Sequence, residues 1–150
     1  MATEIKRILC PIDYFSHSMA ALEYAVDLAK QHGAKLILLN VAPLPLGESV
    51  VSPVPLEPFP FQDAEHRKQL EKIAHERVEG KVFFEIMVVA GDPGPAIMRA
   101  IRSSTPDLVV LGTHGRRGIG HLVLGSVAEF IVRESPVPVL TVRATALGEK

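Results

Sequence analysis

What most constrains this chain is a repeated alternation: short, wholly apolar runs separated by segments whose apolar residues recur at helical spacing. Ile5 to Ile12 is rich in isoleucine and leucine, closes on Pro11-Ile12-Asp13, and reads as a first strand. Ala21, Leu22, Ala25, Val26, Leu28 and Ala29 then mark one helix face, with Ser16 or Ser18 as cap. Lys30 and His32 fall in the last turn, where cations suit the helix dipole, and Gly33 supplies the stop. Lys35 to Val41 carries Leu36-Ile37-Leu38-Leu39, apolar on both faces, so it belongs in the interior of a sheet. Val82 to Val89, Leu108 to Leu111 and Val137 to Val142 read as the remaining strands. Between them, Asp63 opens a charged helix with Leu70, Ile73, Ala74 and Val78 on one face, ended by Gly80. Asp92-Pro93 reads as cap and first residue of a helix facing inward through Ile97, Ala100 and Ile101, stopped at Thr105-Pro106. A last helix starts at Ser126, turns Val127, Phe130 and Ile131 inward, and ends at Ser135-Pro136.

Five strands alternating with four helices imply an α/β fold: an open parallel sheet covered by helices on both faces, with right-handed crossovers. The 150 residues suit one domain, 1–150, without internal repeat or linker. The segment from Pro43 to Phe61 interrupts the alternation. Prolines at Pro43, Pro45, Pro53, Pro55, Pro58 and Pro60 exclude a helix or a central strand there, and predict an extended loop. Its Val50, Val51, Val54, Leu56, Phe59 and Phe61 suit packing on the domain itself, or a lid or docking surface.

Several function classes drop out on composition. With 16 basic and 17 acidic residues the net charge is −1, which argues against nucleic acid as a partner. No run of about 18 apolar residues exists, so no membrane partner is expected. The first residues, Met1 to Arg7, lack the apolar core of a signal peptide. A single cysteine, Cys10, rules out an internal disulfide and a cysteine-based zinc cluster, and suits a reducing, cytoplasmic setting. Within an apolar strand it reads as an inert core residue.

In open α/β sheets ligands bind beyond the carboxyl ends of the strands, where strand order reverses. Asp13, Val41, Gly91-Asp92 and Gly112 all stand at such ends. The strongest local signal is Gly112-Thr113-His114-Gly115-Arg116-Arg117-Gly118-Ile119-Gly120-His121, followed by Leu122-Val123-Leu124-Gly125-Ser126. Glycines let backbone amides approach a phosphate, the next helix start adds unpaired N–H groups, Ser126 adds a hydroxyl, and Arg116 and Arg117 add charge. No Gly-Lys-Ser/Thr is present, so this is not a Walker A loop. A dinucleotide fingerprint would follow the first strand, which leads instead into Asp13-Tyr14-Phe15-Ser16.

At these residues the chain resembles the universal stress protein family, in its ATP-binding branch. The family pattern Gly-x2-Gly-x9-Gly-Ser/Thr is met by Gly112, Gly115, Gly125 and Ser126 with the same gaps. The flanking Val109-Val110-Leu111, Ser126-Val127-Ala128-Glu129 and Pro136-Val137-Pro138-Val139-Leu140 also match, as does Ile8-Leu9-Cys10-Pro11-Ile12-Asp13. The resemblance covers essentially the whole chain. It implies a Rossmann-like sheet of the adenine nucleotide alpha hydrolase type, strand order 3-2-1-4-5, with strands one and four adjacent. It further implies that Asp13 accepts hydrogen bonds from ribose or adenine, and that Pro11, Ile12 and Val41 line an adenine pocket. Gly112, Gly115, Gly125, Ser126 and Val127 would hold ribose and phosphates, with Arg116 beside them. The ligand is then ATP or another adenine nucleotide, with Mg²⁺ or Mn²⁺ accompanying the phosphates. A homodimer through the last strand, Val137–Val142, is implied too, and agrees with the free edge of an apolar terminal strand. The Pro43–Phe61 insert departs from the shortest members and bears on how open the adenine side is.

Simpler readings stand beside these. Ser126-x-x-Glu129 is also a capping box, and Asp13 can serve as a local cap. His114 and His121 suit solvated loop positions; His66 and His75 suit the exposed face of a charged helix. The resemblance thus implies a nucleotide-dependent regulatory switch of the stress response with at most slow hydrolysis. A nucleotidyl transferase or ATP-cleaving enzyme of related fold, and a nucleotide-free dimeric interaction module, are the competing readings.

Overall fold

The computed structural model describes residues 3–13, 16–43, 60–113 and 125–143, with positions 16 and 60–63 described through their backbone alone. Nine elements follow one another: β1 (Arg7–Pro11), α1 (Ser16–His32), β2 (Lys35–Ala42), α2 (Pro60–Arg77), β3 (Phe84–Ala90), α3 (Pro93–Ser104), β4 (Leu108–Gly112), α4 (Ser126–Glu134) and β5 (Val139–Val142). The strands form one five-stranded sheet in the order β3-β2-β1-β4-β5, with every pairing parallel. The expected fold class and strand order are both met.

The two faces follow from the alternation of side chains along each strand. In β2, Leu36 and Leu38 join one core with α1 and α2, while Ile37 and Leu39 join the other with α3 and α4. All four are fully buried, as the run apolar on both faces predicts. The crossovers through α1 and α2 step toward the β3 edge, and those through α3 and α4 toward the β5 edge. A constant crossover hand therefore sends the two helix pairs to opposite faces. Each fully buried leucine or isoleucine contributes roughly 2 kcal/mol by leaving water. Ala21, Ala25 and Ala29 are fully buried on α1, and their small size lets that helix lie close against the sheet.

Several boundaries move. α2 begins at Pro60 rather than Asp63, because a proline needs no N–H donor in the first helical turn. The expected loop therefore loses its last two residues to a helix, and its stretch 44–59 lies outside the described residues. β5 begins at Val139, past Pro138, which has no N–H to give a ladder. Asp92 and Pro93 take the expected cap and first-turn places of α3. Thr105, ahead of Pro106, closes that helix with φ +45, a left-handed conformation uncommon for a β-branched residue. His75 is exposed as expected; His66 is instead half-buried.

Candidate functional site

β1 and β4 are neighbours whose outgoing connections diverge, so a crevice opens beyond their carboxyl ends. It is a cleft of about 430 Å³. One part is apolar, walled by Pro11, Ile12, Leu39, Val41, Pro93, Ile97 and Leu111. The other is made by Gly112, Thr113, Gly125, Ser126, Val127 and Ala128, with Asp13 and Ser18 at the β1 side.

The strand ends are held by specific bonds. The Ile12 N–H donates to Leu39 O at 2.7 Å, and the Asn40 side-chain amide donates to Ile12 O at 2.7 Å. Asn40 is buried, and its Oδ1 has no hydrogen-bond partner among the described residues. The Asp13 N–H donates to Ser18 Oγ at 3.2 Å. Across the cleft, the Thr113 N–H donates to Val142 O at 3.0 Å, and Thr113 O accepts from the Gly125 N–H at 2.7 Å. Thr113 and Gly125, which flank an eleven-residue glycine-rich segment at 114–124, are thereby brought together.

Two helices begin at this cleft, with opposite chemistry. In α3 the first-turn residues Pro93 and Pro95 have no N–H, so that end presents ring carbons. In α4, Ser126, Val127 and Ala128 supply the first three amides, which have no partner within a helix. Gly125 is the N-cap, without a side-chain cap, and its O accepts the Glu129 N–H at 2.9 Å. The expected helix start at Ser126 holds, but its capping box does not. Ser126 is the first helical residue rather than the cap, because the bond from Gly125 to Thr113 places the cap one residue earlier. Its exposed side chain lines the cleft instead.

Of the sequence-predicted site residues, Pro11, Ile12, Asp13, Val41, Gly112, Gly125, Ser126 and Val127 line this one cleft. Gly115 and Arg116 lie outside the described residues, as do Arg117, His114 and His121. Gly112 has a packing reason for lacking a side chain: a Cβ there would sit 2.5 Å from the carbonyl carbon and oxygen of His17 in α1. Sequence reasoning did not assign Ser18, Leu39, Pro93, Ile97, Leu111, Thr113 or Ala128 to the cleft. Leu39, Ile97 and Leu111 carry the ordinary signal of core residues, and only their place at the strand ends exposes them to a ligand. Ser18 and Thr113, both buried, were findable as polar residues five positions after Asp13 and directly after Gly112.

Burial alone pushes the Cys10 thiol up to about 12, so it is neutral and unreactive, the inert core role expected of it. Among the described residues no cluster of three His, Cys, Asp or Glu side chains could hold a metal ion, and no helix is long and apolar enough to cross a membrane. A divalent cation at this cleft would meet one carboxylate among the described lining residues, Asp13, so its remaining ligands would be phosphate and water.

The family model of the Universal stress protein family matches residues 4–143. A universal stress protein of Thermus aquaticus is 32% identical over 146 residues, covering 92% of this chain and 98% of that protein. Among solved structures, a universal stress protein UspA from Lactobacillus plantarum superposes with a TM-score of 0.74 at 23% identity, over 95% of this chain and 100% of the other. A universal stress protein in complex with cAMP gives a TM-score of 0.69 at 23% identity, over 95% and 99% of the two chains. A family protein from Arabidopsis thaliana with AMP bound gives 0.61 at 22% identity, over 92% and 90%.

Proposed function

The chain belongs to the universal stress protein family, and on that premise we propose that it binds an adenine nucleotide, ATP foremost, as a regulatory switch of the stress response. The observation that carries the reading is the joining, in one cleft, of an apolar wall to the start of α4, whose first amides have no side-chain cap. A flat base fits between Pro11, Ile12 and Val41. Phosphates suit the amides of Ser126 and Val127, where the helix dipole favours negative charge. Asp13 is assigned to the ribose or the base edge. Gly115 and Arg116 are assigned to the phosphates on the strength of their spacing. The bound adenine nucleotides named for two structural relatives support the same ligand class.

Mg²⁺ or Mn²⁺ travels with the phosphates in this reading. Hydrolysis is at most slow in this reading, because the glycine-rich stretch carries no Gly-Lys-Ser/Thr to bring a lysine to the terminal phosphates. The protein acts as a cytoplasmic homodimer through 137–142. β5 is an edge strand whose Leu140 is 38% exposed, which supports pairing with a second copy.

Titration calorimetry with ATP, AMP, cAMP and GTP tests the ligand class. The adenine ligands should saturate one site per chain, with GTP at least about tenfold weaker. Gly125 has φ −62 and ψ 159, a backbone conformation open to any L-residue, so Gly125→Val is expected to keep the main-chain path and to lose ATP affinity at least about tenfold. Wild-type ATP affinity in that variant would refute the assignment.

A further inference from the structure

We infer that His17 and Ser18, adjacent residues in the first turn of α1, are positioning residues that together set the separation between the β1 and β4 sides of the cleft. The inference rests on the adenine-nucleotide reading above. Its starting point is the strand register. β1 keeps its pairing with β2 as far as Pro11 opposite Leu39, whereas its register with β4 is limited to Ile8 opposite Leu108 and Leu9 opposite Val109. Beyond those pairs the ladder no longer fixes how far Asp13 stands from Thr113, although a ligand spanning the cleft needs that distance held.

One dipeptide touches both sides. Ser18 Oγ accepts the Asp13 N–H at 3.2 Å, at the end of β1. His17 Nδ1 meets Thr113 Oγ1 at 3.0 Å, just past the end of β4. The main chain of His17 lies so close to Gly112 that a Cβ on the glycine would reach 2.5 Å from it, so α1 and the β4 end are in direct contact. Ser18 is 4% exposed and Thr113 5%, so one partner of each bond is buried and both bonds are partly withdrawn from water.

The two contacts have different consequences. Thr113 O receives the Gly125 N–H at 2.7 Å, and Gly125 caps α4, so the His17 contact reaches the phosphate-facing amides through two hydrogen bonds. Ser18 instead fixes the backbone bearing Asp13, which serves every adenine ligand whatever its phosphate count. His17 therefore governs the phosphate-dependent part of the affinity, and Ser18 the part shared with adenosine.

The test combines amide hydrogen exchange on the ligand-free full chain with affinities for ATP and adenosine. In His17→Ala, the Gly125 amide should exchange at least about tenfold faster and ATP should bind about tenfold more weakly, with adenosine unchanged. His17→Asn, which keeps a hydrogen-bonding atom near the Nδ1 position, should restore both. Ser18→Ala should weaken ATP and adenosine equally, and Ser18→Thr should recover them. An equal loss of ATP and adenosine in His17→Ala, or an unchanged Gly125 exchange rate, overturns the inference. Should the wild-type chain bind neither ligand, the nucleotide reading fails by itself, and the Gly125 exchange rate still decides whether His17 holds the start of α4.

Discussion

Cys10 and Gly112 sit at opposite limits of what a residue's type reveals. Cys10 is fully buried in β1 and its thiol is pushed up to about 12 by burial, against an ordinary value of 9.0. Below pH 9 the thiol is neutral in both folded and unfolded chains and contributes its full stability. Between about pH 9 and 12 only the unfolded chain ionises, so stability is lost as pH rises. Denaturant unfolding from pH 8 to 10.5 should show a fall of roughly 1.4 kcal/mol per unit above pH 9 that Cys10→Ala lacks. Parallel pH profiles for the two proteins would show that burial does not control this thiol. An apolar strand made the role of Cys10 legible from its neighbours. Gly112 was legible as special, but its close contact with the His17 main chain was not. That contact is made by a residue 95 positions away, and no local pattern encodes it.

At the scale of elements, the ends of β1 and β4 remote from the cleft are tied by one carboxylate. Asp107 Oδ2 accepts the N–H groups of Lys6 at 2.8 Å and Arg7 at 3.0 Å, while the Asp107 N–H donates to Arg7 O at 2.8 Å. Hydrogen bonds to a charged acceptor are worth about 1.5–3 kcal/mol each when sheltered and less when wet. Asp107→Ala should thus cost about 2 kcal/mol in urea unfolding, and Asp107→Asn, which keeps one acceptor oxygen, about half that. A loss under about 0.5 kcal/mol for the alanine variant would show the clamp to be idle. The existence and type of every element were readable from periodicity, whereas several of their ends were not. Ser126-x-x-Glu129 has the composition of a capping box, yet a tertiary bond to Thr113 makes Gly125 the cap. Pro60 reads as loop by its company and becomes a first-turn residue because that position asks nothing of its missing N–H.

For the whole molecule, strand–helix alternation is enough to predict a parallel sheet covered on both faces. It does not order the strands; that order was implied by the family resemblance, and the structure bears it out. The site follows from the order. Once β1 and β4 are neighbours, Asp13 and the start of α4 must share one crevice, although 112 positions separate Asp13 from Gly125. We propose that this crevice takes an adenine nucleotide, with the base against the strand ends and the phosphates at α4. Amide chemical shifts recorded while ATP is titrated into ¹⁵N-labelled protein test it most directly. Saturable shifts should concentrate at Ile12, Asp13, Val41, Thr113 and Gly125 to Ala128, with AMP moving the α4 amides less than ATP does. Shifts confined to the sheet edges β3 and β5, or none at millimolar ATP, would contradict it.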